Sequence, residues 1–186
     1  MPAPATRHPL TVADYRQLPP AGPYFQLIEG KLVKVPSPRK SHQNIGTAIF
    51  MALLAYVKNG HPCALKTTPF EVYLDDRNVY RPDILLVSAP RESLVLRADA
   101  VHGAPDLVVE VLSPSNTRAE KDLKRRAYAR AGVAEMWLAD SDLRTLEVFR
   151  FAENQDRPVM DLAQGDTLTT PLLPGLALNI DTVFGV

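Results

Sequence analysis

The segment DLVVEVL, residues 106–112, constrains the fold of this chain more than any other stretch. Alternate side chains of an extended chain point to opposite faces, so Leu107, Val109 and Val111 form one set and Val108, Glu110 and Leu112 the other. Both sets are apolar except at Glu110. A strand that is apolar on two faces belongs in the middle of a sheet covered on both sides, not in a sheet with one wet face. An ionised carboxylate in such a place costs roughly several kcal/mol unless a cation or a set of donors meets it. Glu110 must therefore emerge at the strand's end or acquire a cationic partner.

The neighbouring segments supply the covering layers. The first 23 residues are rich in proline and hold at most one short helix, over 11–18. FQLIEGKLVKV, residues 25–35, reads as a hairpin or a bent strand pair about Gly30-Lys31. Ile45, Ile49, Ala52, Leu53 and Tyr56 recur at helical spacing, which predicts a helix over 41–59 that Gly60 stops. Strands are expected over 63–67, 70–74 and 79–88, then a loop over 89–104. Thr117 and Glu120 fit the Ser/Thr-x-x-Glu capping pattern, opening a helix over 118–131 that Gly132 ends. Leu123, Ala127 and Ala131 form its apolar stripe and should face the sheet, with Lys124 and Tyr128 flanking them. Two strands, 134–140 and 144–151, follow around a tight polar turn, and the tail from Pro158 offers one or two weak strands and the DTVF end. This order describes an α/β (α+β) fold, a mixed central β-sheet flanked by helices, as one domain over 24–186 behind an N-terminal arm over 1–23.

Charge and composition remove several classes of function. Lys plus Arg and Asp plus Glu both total 21, so no global field attracts nucleic acid, and any polyanion site must come from local clustering. The helix over 118–131 provides such a cluster, with six basic residues against Glu120 and Asp122. Cys63 is the single cysteine, and His8, His61 and His102 have no ligand spacing, so neither a disulfide framework nor a zinc site is expected. Ser113 and Ser115 lack the Gly-x-Ser-x-Gly surroundings of a nucleophile elbow. No apolar stretch reaches the length of a membrane span and MPAPATRHPL has no signal-peptide core, so a cytoplasmic protein without a membrane partner is the expectation.

Asp83 stands directly after Pro82 at the mouth of the apolar run ILLVS, and Glu110 lies near the end of the next core strand. Two carboxylates converging at one sheet end suit a hard divalent cation, which would also answer the charge of Glu110. A lysine on the following helix could orient or help deprotonate an attacking water; Lys124 is the first candidate and Lys121 the second. The bland alternative makes Asp83 a strand-start residue and ties Glu110 to Lys124 in a structural salt bridge.

The pair Asp83 and Glu110, set in helix–strands–helix–strand order, resembles the PD-(D/E)XK nuclease superfamily, the restriction-endonuclease-like fold. PDILLVS, DLVVEVLSPSN, Lys124 with Tyr128, and GVAEMWLAD together resemble the Uma-two family of restriction-endonuclease-like proteins, from LIEGKLV near residue 27 to LPGLAL near residue 176. The resemblance implies that fold, with an N-terminal hairpin and C-terminal strands. It implies a metal-dependent nuclease acting on nucleic acid, foremost DNA, in which Asp83, Glu110 and the main-chain carbonyl of Val111 hold Mg²⁺ or Mn²⁺ and Lys124 serves the water. Arg118, Lys121 and Arg125 would meet backbone phosphates, and Gln26, Glu29, His42 and Tyr128 would line the cleft. The chain departs from the superfamily at Leu112, where a lysine is expected, and from the family at Gln26, where an acid is usual. A module that keeps the nuclease fold but only binds nucleic acid or a partner protein is the alternative, and a hydrolase of another phosphate ester is a third. Cleavage of both strands would be served by a homodimer, although no stretch specifies one.

Overall fold

The computed structural model describes residues 8–19, 24–35, 39–112 and 118–185, with the side chain of Arg118 excepted. The proposed cap Thr117, together with Ser113 and Ser115, lies outside the described residues.

The chain opens with the short helix α1 (Val12–Tyr15), for which Thr11 and Asp14 form a reciprocal capping box. The strands β1 (Phe25–Ile28) and β2 (Lys31–Lys34) form the expected hairpin. Its two loop residues, Glu29 and Gly30, both have positive φ, 47° and 72°, which is the backbone of a primed turn matched to strand twist. Helix α2 (Lys40–Lys58) follows, burying Ile45, Ile49, Leu53 and Tyr56. Then come β3 (Cys63–Thr67), β4 (Glu71–Asp75), β5 (Asn78–Tyr80), β6 (Ile84–Ser88), α3 (Ala89–Val95), β7 (Ala100–His102) and β8 (Leu107–Leu112). Helix α4 (Arg118–Ala131) leads into β9 (Glu135–Asp140) and β10 (Thr145–Arg150), and the tail forms β11 (Met160–Leu162), β12 (Thr167–Thr170), β13 (Leu173–Asn179) and α5 (Ile180–Phe184).

Two sheets carry the architecture. The larger runs β11-β10-β9-β8-β6-β3, parallel only between β8 and β9, so it is mixed, as expected. The smaller runs β2-β1-β5-β4-β7. The odd residues of β8 pack with α2, α5, β12 and β13 in one core, and Val108 and Leu112 pack with Ala127 and Tyr128 of α4 and with Ile28 and Tyr80 of the smaller sheet in another. All six residues of β8 are buried, which is the doubly covered central strand that the alternating pattern required.

Three expectations are corrected. The run 79–88 is two strands, because Pro82 has no N–H to give a ladder and Arg81 and Asp83 turn the chain from the smaller sheet to the larger. The loop 89–104 contains α3 and β7; α3 buries none of its residues, so it left no apolar periodicity, and β7 owes its form to parallel pairing with β4. Leu123 is 41% exposed, and the face of α4 that meets the sheet runs through Lys124, Arg125, Ala127 and Tyr128.

Candidate active site

The antiparallel pairing of β6 with β8 ends at Ile84 and Val109, so β8 runs beyond the start of β6. The N–H of Val111 consequently has no partner on β6. It donates instead to the Asp83 carboxylate, Oδ2, at 2.7 Å. The start of one strand and the end of its antiparallel neighbour thus bring Asp83 beside the residue that follows Glu110.

Glu110 points to the other side, toward α4, and is 7% exposed. Lys124 Nζ donates to its Oε2 at 2.8 Å and the Tyr128 hydroxyl to its Oε1 at 2.8 Å. Lys124 and Tyr128 are one helical turn apart, so both reach the same carboxylate. The cation that the sequence demanded for Glu110 is, in this structure, the Lys124 ammonium. Burial, and then the like charge of Asp83, push the Glu110 carboxyl above the ordinary value, against the pull of Lys124 and Tyr128. The Tyr128 hydroxyl is pushed up as well, first by burial and then by Glu110.

His42, in the first turn of α2, completes the cluster. Its Nε2 lies 3.3 Å from Asp83 Oδ2. The bond to Asp83 holds its imidazole above the ordinary 6.5 against the opposing effect of burial; the charge of Glu110 and the main chain of Val111 act in the same direction as Asp83. His42 therefore senses both carboxylates.

Gln26 is buried and lines a cavity of about 240 Å³ with Glu110, Val111, Lys121 and Lys124. Its Oε1 accepts the Arg81 N–H at 3.3 Å. A glutamine can take that bond as well as an acid can, but it adds no charge.

No three His, Cys, Asp or Glu side chains gather as ligands of one ion among the described residues. Among the described residues, the oxygen groups near the end of β8 include the Asp83 and Glu110 carboxylates and the Val111 carbonyl. That set suits a hard divalent ion that keeps several waters.

The Uma2 family model, described as "Putative restriction endonuclease", matches residues 12–181. The chain belongs to the Uma2 family. A crystal structure from Anabaena variabilis, described as a "putative nuclease belonging to DUF820", aligns with a TM-score of 0.81 over 95% of this chain and 98% of that one, at 23% identity. At that identity the likeness concerns the fold, and it agrees with the nuclease-like architecture expected from the order of elements. No protein of curated function matches the chain.

The remaining expected site residues of this Uma2 chain divide. Tyr128, His42 and Gln26 join the cluster or its cavity, whereas Glu29 lies in the hairpin turn and pairs with Arg130. Lys121 lines the cavity, with its Nζ 3.8 Å from Asp140. Arg125, expected to meet phosphate, is buried, lies over the Phe149 ring and bonds the Gln155 carbonyl and Asp156. Sequence reasoning missed Val33 and Lys34 as cavity residues. The signal was available, because centring the turn on Glu29-Gly30 makes Val33 the cross-strand partner of Gln26.

Proposed function

We propose that this protein is a metal-dependent nuclease that hydrolyses phosphodiester bonds, with DNA as its substrate. The reading is supported by Asp83 bonding the Val111 N–H while Lys124 bonds the adjacent Glu110, so that all three meet neighbouring residues near the end of β8. Asp83, Glu110 and the Val111 carbonyl would hold Mg²⁺ or Mn²⁺. A divalent ion there supplies the charge that offsets the negative charge building on the phosphate oxygens. Glu110 takes part only when ionised, which Lys124 and Tyr128 favour. Lys124 leaves Glu110 to orient the water that attacks phosphorus and to stabilise its loss of a proton. Tyr128 keeps Glu110 in place during that exchange. Lys121, on the first turn of α4, meets the neighbouring phosphates, and the Arg118 side chain, expected to do the same, lies outside the described residues.

One observation favours a second reading. The ion pair of Glu110 and Lys124 is satisfied within the protein, and Gln26 adds no acid, as suits a module of the same fold that binds nucleic acid or a partner protein without cutting it. Plasmid nicking in Mg²⁺ or Mn²⁺, run beside calorimetry with Mn²⁺, separates the two. The nuclease nicks, binds Mn²⁺, and loses both with Glu110→Gln. Nicking that survives Asp83→Ala or Lys124→Ala would sink the site assignment, and absence of both nicking and Mn²⁺ binding would leave the module.

A further inference from the structure

The cavity beside Glu110 shares Glu110, Val111, Lys121 and Lys124 with the chemistry just described, but its apolar walls have no part in that chemistry. Its walls are apolar, formed by Ile28, Val33, Leu112, Met136 and Leu138, while Lys34, Lys121 and Lys124 bring three ammonium groups against Glu110 and Glu120. The β1–β2 hairpin forms one side, and the end of β8, Met136 and Leu138 of β9 and the first two turns of α4 form the others. At about 240 Å³ it is smaller than the roughly 300–1,000 Å³ sites that enclose a whole cofactor or drug-sized ligand. A group the size of one ring system, with apolar faces and polar edges, matches that volume and that mix of lining residues. Gln26 sits among them, with its oxygen engaged by the Arg81 N–H. Glu110, Val111 and Lys124 line the cavity and belong to the catalytic cluster too, so an occupant of the cavity is a near neighbour of the reacting phosphate.

We propose that this cavity receives the nucleobase adjoining the scissile phosphate, so that the substrate is single-stranded nucleic acid or a duplex position at which a base can leave the stack. The proposal rests on the nuclease reading and specifies its substrate. In an intact duplex the bases are stacked inside, and extracting one costs a few kcal/mol, roughly. A strand that is already unpaired does not meet that cost and can place its base in the cavity while the lysines meet its phosphates.

The test is fluorescence anisotropy with labelled oligonucleotides on the full-length protein, in EDTA and again in Ca²⁺. Three probes of one sequence are used: the single strand, its duplex, and the single strand with one abasic position, moved along the strand in successive probes. The single strand should bind about tenfold more tightly than the duplex, and the abasic site should cost about tenfold at one position, within the range measured for loss of one base contact. Val33→Trp, which fills the cavity from a partly exposed strand, should weaken the intact strand about tenfold and erase the abasic effect, whereas Val33→Ala should keep both preferences. Equal affinity for strand and duplex, indifference to the abasic site, or no binding of any probe overturns the proposal. Since these readouts are binding, loss of base dependence with nicking intact rejects only the cavity, and base dependence without nicking rejects only the cleavage.

Discussion

Lys124→Met tests the central electrostatic relation of this site. The substitution keeps the methylene bulk on the face of α4 that packs on the sheet and removes the ammonium 2.8 Å from Glu110. Glu110 is then left with the Tyr128 hydroxyl and the opposing charge of Asp83. Removing one partner of a buried ion pair costs about 3–5 kcal/mol. Because Glu110 also lines the cavity, water can take part of the ammonium's place, which puts the expectation near 3 kcal/mol. For a chain of this size that corresponds to a fall of about 6–12 °C in Tm. The pH dependence carries the sharper sign. The Glu110 carboxyl is already raised above its ordinary 4.5, and losing Lys124 raises it further. Stability that depends on the neutral carboxyl is present in full below 4.5 and is lost as pH rises through the folded value, so the deficit of the variant should grow with pH above that point. Scanning calorimetry from acid to neutral pH checks this, and pairing Lys124→Met with Glu110→Gln should recover most of the loss. A deficit that is independent of pH, or that shrinks as pH rises, would refute the account.

Other consequences can be measured directly. Asp83→Asn keeps an oxygen for the Val111 N–H but removes the charge beside His42, so NMR titration should find the His42 value falling toward 6.5 while the fold persists and nicking drops by at least about a hundredfold. Because the folded His42 value is raised, its stabilisation is complete below the unfolded 6.5 and disappears as pH rises through the higher folded value; His42→Gln should therefore differ most from the parent protein in acid and least in alkali in thermal melts. Arg125→Met should lower stability by about 1–3 kcal/mol and leave the salt dependence of DNA affinity unchanged, whereas Lys121→Ala should reduce the slope of log affinity against log salt by about 0.7–0.9.

How much of this could be read from the sequence depends on whether a residue's surroundings are local. Helices α2 and α4 were legible because apolar residues recur at helical spacing between clear stops, and β8 because its two faces share one character. Asp83 and Glu110 stood out as acids against apolar strands. The face of α4 was misjudged because apolar composition marked Leu123, while the side that packs carries Lys124, Arg125 and Tyr128, whose stems and rings cover apolar surface and whose polar ends find partners. His42 could be suspected but not placed, because its partner Asp83 lies on another element and meets it only after α2 docks on the sheet. The division of 79–88 at Pro82 was within reach, since a proline inside an apolar run argues against a continuous strand.

That same division explains why the site lies where it does. A ladder that stops at Ile84 leaves the Val111 N–H without a strand partner in a buried place, and such a donor left unpaired costs about 1–3 kcal/mol. Asp83, the residue at which the chain enters the larger sheet, meets that need with its side chain, so the bond that ends the ladder also aims one acid at the end of β8. Glu110 is aimed independently, by two donors from α4 that hold it in the opposite core. Neither orientation depends on a ligand. Each carboxylate is fixed by a contact the fold needs, and the raised Glu110, pushed up first by burial and then by the charge of Asp83, marks the cost of keeping an acid there. A purely structural strand would avoid that cost by placing an apolar residue at 110, which is the physical reason for reading the pair as a site.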